Sequence, residues 1–132
     1  MESVMLVAPF AYDNEIRSRL ATIGPVTTGA PGVLVMEDDR SRVYVSRNDA
    51  AYLEVEPESL GRVRSIMAEP VFYTVDFSDI KLCRRVLEAI ADDPKLLIDD
   101  DHGLMLPGHE FVRILRARPE WDWRASPPDS NR

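Results

Sequence analysis

Val71-Phe72-Tyr73-Thr74-Val75-Asp76-Phe77, followed at once by Ser78-Asp79-Ile80-Lys81-Leu82-Cys83-Arg84-Arg85-Val86-Leu87-Glu88-Ala89-Ile90, decides the fold class. The first seven residues are dense in β-branched and aromatic side chains, which pack well on a pleated surface, so they read as a central strand. Ser78 or Asp79 then offers an N-cap, and Ile80, Cys83, Val86, Leu87 and Ile90 recur at helical spacing. The second stretch is therefore an amphipathic helix with Cys83 on its buried side.

Outward toward the N-terminus the same alternation of periods continues. Val4 to Val7 forms a short apolar strand, Asp13-Asn14-Glu15 caps and acidifies the start of a helix, and Ile16, Leu20 and Ile23 share one face of it. Gly24-Pro25 stops that helix. Val33-Leu34-Val35-Met36 and Val43-Tyr44-Val45 flank the turn Asp38-Asp39-Arg40-Ser41 as a β-hairpin. Tyr52-Leu53-Glu54-Val55 reads as a further short strand, and Pro57 opens a helix carrying Leu60, Val63, Ile66 and Met67.

Toward the C-terminus, Lys95-Leu96-Leu97-Ile98, the turn Asp100-Asp101-His102-Gly103 and Leu104-Met105-Leu106 make a second hairpin. A last helix follows Pro107-Gly108 with Phe111, Val112, Ile114 and Leu115 inward. The prediction is one α+β domain over residues 1–124, with a mixed or antiparallel sheet and a flexible tail over 125–132. The order strand, helix, hairpin, helix occurs over roughly residues 4–67 and again over roughly 71–117, the pattern of a duplicated β-α-β-β-α unit. On that reading two acidic hairpin tips, Glu37-Asp38-Asp39 and Asp99-Asp100-Asp101, occupy related positions.

The 132 residues carry 16 basic and 23 acidic side chains, a formal charge of −7, which repels phosphate backbones and anionic membrane surfaces and attracts basic ones. Nucleic acid and membrane are accordingly not expected as direct partners. No window approaches eighteen apolar residues, and the N-terminal run lacks a basic n-region. With Cys83 as the single cysteine no internal disulfide forms, and a reducing cytoplasm is the expected compartment.

Motifs with fixed chemical spacing are missing: no G-x-G-x-x-G, no G-x-x-x-x-G-K-[ST], no H-E-x-x-H and no G-x-S-x-G. No cofactor is expected. A calcium loop begun at Asp99 would need glycine where Leu104 stands, and successive side chains of an extended run point to opposite faces, so Asp99, Asp100 and Asp101 do not converge on a metal. His102, beside those acids, is the candidate base of an alternative reading as a small enzyme or ligand-binding regulator. His109 sits in the first turn of the last helix, where the dipole disfavours its charged form. Cys83 on an apolar face makes a poor nucleophile.

What remains is a set of surface candidates. The acidic tips Glu37, Asp38, Asp39, Asp99, Asp100 and Asp101 suit a basic protein surface. Trp121-Asp122-Trp123-Arg124, near the C-terminus, holds the residue types that anchor interfaces, although an indole there can equally close the core. The segment Leu97-Ile98-Asp99-Asp100-Asp101-His102-Gly103-Leu104-Met105-Leu106-Pro107-Gly108-His109-Glu110-Phe111-Val112, with Pro119-Glu120-Trp121-Asp122-Trp123, resembles the small acidic immunity proteins of bacterial toxin systems, including antidotes to contact-dependent growth inhibition toxins. The resemblance implies a non-enzymatic protein that binds a cognate toxin, often a nuclease, and occludes its active site. Partner-contacting residues expected on charge and position are Glu37, Asp38, Asp39, Asp99, Asp100, Asp101, Trp121 and Trp123. The oligomeric state is open.

Overall fold

In the computed structural model, which describes residues 1–125, the elements are β1 (Glu2–Ala8), α1 (Asp13–Leu20), β2 (Thr27–Thr28), β3 (Val33–Glu37) and β4 (Arg42–Arg47). A 3-10 turn (Ala51–Leu53), α2 (Pro57–Ile66), β5 (Val71–Phe77), α3 (Ile80–Ile90), β6 (Leu97–Asp99), β7 (Met105–Pro107) and α4 (Gly108–Ala117) complete them. The strands form one antiparallel sheet in the order β2-β3-β4-β5-β1-β6-β7. This is a single α+β domain, with the aromatic and β-branched β5 at the middle of the sheet. Past Ala125, the expected tail lies outside the described residues.

Strand alternation gives the sheet two unlike faces. The first carries Val4, Leu6 and Ala8 of β1, Val43 and Val45 of β4, Tyr73, Val75 and Phe77 of β5, and Ile98 of β6. Against it pack Ile16 and Leu20 of α1, Leu82, Cys83, Val86, Leu87 and Ile90 of α3, and Phe111, Val112 and Leu115 of α4. The second face is more thinly covered: Val7, Phe72 and Leu97 lie under Ala51, Val63 and Met67, and Val35 of β3 is buried apart from them.

Local chemistry explains the joints. The Asp79 carboxylate caps α3 by accepting from the Lys81 N–H at 2.7 Å. Asp13 has another task than capping: its carboxylate accepts from the Tyr73 hydroxyl at 2.6 Å, while that hydroxyl accepts from the Tyr12 N–H, also at 2.6 Å. The middle strand thereby holds the start of α1. At the far end, Arg84 of α3 donates to the carbonyls of Leu115, Arg118 and Trp121 and so satisfies the C-terminal end of α4.

Three sequence expectations are corrected. Tyr52–Val55 is no strand: the backbone turns through a 3-10 helix at Ala51–Leu53, which the depth of Ala51 under α2 favours. Ile66 is 66% exposed, because α2 ends there and its inward stripe is Leu60, Val63 and Met67. The repeat of element order is not a repeat in space. In the first hairpin it is the second strand, β4, that pairs with the centre, whereas in the second it is the first strand, β6. Moreover α2 covers the second face of the sheet and α4 the first.

Candidate functional site: an acidic groove on the half-covered face

Strand register places both acidic turns at one end of the sheet. Glu37 pairs with Arg42 at the tip of β3–β4, while Phe77, opposite Val43, also faces Glu2. On the other side β6 runs from Leu97 opposite Val7 to Asp99 opposite Met5, so its turn emerges at the same end. Four strand spacings of about 4.8 Å separate the tips, roughly 19 Å in all.

The two turns are built alike. The Asp38 carboxylate accepts from the Arg40 and Ser41 N–H groups at 3.0 and 2.9 Å and from the Ser41 hydroxyl at 2.8 Å, and these bonds lower its pKa. Asp100 accepts from the His102 and Leu104 N–H groups at 2.8 and 2.9 Å. Asp101 takes a left-handed φ of 64° and Gly103 one of 93°, which is where the tight reversal needs an aspartate and a glycine.

The eight residues expected at an interface therefore divide. Asp39 and Asp101 are exposed, and Glu37 is exposed but paired with Arg42 at 3.2 Å. Asp38 is exposed and shapes its own turn. Asp100 is a correction: at 2% exposure its carboxylate faces the turn's amides and is unavailable to a partner. Trp121 and Trp123 are corrections too, at 3% and 2% exposure. The Trp121 ring packs tilted and the Trp123 ring edge-on against Phe111, and Trp123 also meets Phe77 at a centroid distance of 5.9 Å. Arg124, bonded to Asp122 and Glu2, pins the segment down. The indoles close the core.

Asp99 is the candidate with the most informative surroundings. Its side chain stands on the second face of the sheet, half-buried between cross-strand neighbours Met5 and Met105. Oδ1 accepts from the Asp101 N–H at 3.0 Å, yet desolvation outweighs this and raises the carboxyl pKa above its usual value. Beside it runs a groove of ≈ 390 Å³, lined by Ser3, Met5, Asn48, Thr74, Asp99 and Met105 on the sheet side. Glu54, Glu56, Ser59 and Arg62 line it from the 3-10 turn and α2, and Asp101 from the tip. Glu56 occupies the N-cap position of α2, but its side chain makes no capping bond.

Sequence reading missed Glu54, Glu56 and Arg62. By residue type Glu54 reads as part of a strand, and Pro57 marks a helix start without fixing where the preceding carboxylate points. The available signal was alternation: along Phe72, Thr74 and Asp76 one face of β5 turns from apolar to polar.

The remaining chemical candidates stay apart. His102 is exposed on the tip, with Asp100 bonded to its backbone and not to its ring. His109 is half-buried at the start of α4. Cys83 lies fully in the core, where burial pushes its thiol pKa far up. Among the described residues no three His, Cys, Asp or Glu side chains converge as a metal site, and no helix is long and apolar enough to cross a membrane.

No family model, curated protein or solved structure matches this chain.

Proposed function

We propose that this protein is an immunity protein: it binds a cognate bacterial toxin domain through its acidic end and blocks the toxin's active site by occlusion and charge complementarity. It performs no chemistry of its own and works in the cytoplasm of the cell it protects. The observation that carries this reading is a groove lined by four carboxylates, Glu54, Glu56, Asp99 and Asp101, and one guanidinium, Arg62, between the sheet and the start of α2. A toxin that acts on nucleic acid needs a basic substrate surface, and an acidic plug of the same extent is complementary to it.

A fixed field of this sign steers association, and screening over a Debye length of about 8 Å at physiological salt would slow it. Salt should therefore change the association rate more than the dissociation rate.

The test is capture on the immobilised protein from a lysate of its source organism, at low and then moderate salt. Expected is one basic polypeptide in equal stoichiometry, lethal when expressed alone and harmless when co-expressed with this chain. A captured protein whose expression leaves growth unchanged, or lethality that co-expression does not relieve, overturns the proposal.

A further inference from the structure

Strand pairing lays out one cross-strand row on the second face: Ser46, Thr74, Met5, Asp99, Met105. The row before it, Val7, Phe72 and Leu97, is buried under α2, whereas Met5 and Met105 of this one pack against the edge of that cluster and stay only partly buried. Thr74, Met5, Asp99 and Met105 of this row form the floor of the groove, and a carboxylate stands there between two thioether side chains. Such a site suits an amphipathic cation. Methionines adapt to an aliphatic stem, and the charged head of that stem supplies what Asp99 lacks.

We propose that this groove seats a basic segment of another protein, with one arginine or lysine side chain laid over Met5 and Met105 and its cationic head on Asp99. Glu54, Glu56 and Asp101 form the rim that holds neighbouring cations of the same segment. This deepens the immunity reading and rests on it only for the partner's identity. Charge decides the occupant: the four carboxylates against Arg62 leave the lining at a formal −3, which disfavours an anionic ligand. Composition decides against a bare metal ion, because hard cations want several converging oxygens and the floor offers one carboxylate flanked by sulfur. The volume of ≈ 390 Å³ falls within the range of about 300–1,000 Å³ typical of ligand pockets.

The experiment is a titration of the isotope-labelled full chain, followed by amide NMR at low salt, with a ten-residue peptide alternating arginine and serine. The same peptide with citrulline for arginine, spermine, and magnesium run in parallel. Expected are saturable shifts at Met5, Asp99, Gly103 and Met105, an affinity about tenfold weaker in Asp99→Asn, and tighter binding in Arg62→Gln. Asp99→Asn keeps the acceptor for the Asp101 N–H, so the turn survives, and Glu54→Gln with Glu56→Gln is an independent surface variant expected to weaken binding as well.

Strongest shifts at Asp38–Arg40, an affinity within twofold in Asp99→Asn, or equal shifts with spermine, magnesium or the citrulline peptide would overturn the proposal. The two readings fail separately. Peptide binding without any rescue from a toxin sinks only the immunity reading, whereas rescue by Asp99→Asn together with no peptide binding sinks only the groove.

Discussion

Replacing Trp123 by alanine separates a core indole from an interface anchor. Trp123 is 2% exposed, and the rings of Phe77 and Phe111 meet it with centroids at 5.9 and 5.6 Å. Truncating a buried tryptophan costs about 3–5 kcal/mol in lost transfer energy and residual cavity. Against a total stability of about 5–15 kcal/mol for a domain, that is a large share. At about 3–5 °C per kcal/mol for a chain of this size, the melting temperature falls by roughly 10–25 °C. Circular dichroism during heating, and urea titration of the same variant, read this directly. Trp123→Phe keeps an aromatic ring against Phe77, and because the indole N–H has no hydrogen-bond partner among the described residues, it gives up no bond there and retains most of the stability. A Trp123→Ala protein that melts within about 3 °C of the parent would refute the packing argument and return this residue to the surface.

Gly108→Ala should lose about 1–3 kcal/mol in chemical denaturation although alanine is the better helix former, since its Cβ would collide with the Ala91 backbone carbonyl oxygen. Arg84→Ala should cost about 2–3 kcal/mol and loosen the last turn of α4, seen as faster hydrogen exchange there, because three carbonyls lose one charged donor. For Asp99 the sign runs the other way. Its folded pKa is raised, so the folded state holds the proton more tightly than the unfolded chain, and stability falls as pH rises through the folded value. Asp99→Asn should therefore melt higher than the parent at neutral pH, with the gain vanishing below the ordinary aspartate range; equal gains at pH 7 and below pH 3 would contradict this.

Where a residue's task is set by its neighbours in sequence, the sequence was legible. The seven residues of β5 and the apolar stripe of α3 carry their periods on the page, and both hairpins follow from acidic turns between apolar runs. Cys83 was placed correctly for the same reason. Residues whose task is set across the sheet were not legible. Trp121 and Trp123 follow the last helix in a stretch with no regular period, and only the open edge of the core beside Phe77 and Phe111 draws them in. Asp100 and Asp101 are identical neighbours in composition, yet one bonds the turn's amides and the other faces solvent because the chain reverses between them. The groove needed the most nonlocal knowledge of all, namely that Met5, Asp99 and Met105 come abreast from three strands.

The same geometry says why a groove is left over. A ten-residue helix is about 15 Å long, whereas seven strands span about 29 Å, so α2 alone leaves part of the second face open. Uncovered positions of a sheet must be tolerably polar, and Ser3, Ser46 and Thr74 meet that demand at little cost. Asp99 does not. The fold asks of it only an acceptor for the Asp101 N–H, which an asparagine would supply without a charge to desolvate. An ionised carboxylate kept half-buried between two methionines works against stability locally, and such costs collect where a surface is shaped for something other than its own folding. That excess, rather than the number of acids on the molecule, is what singles out the groove.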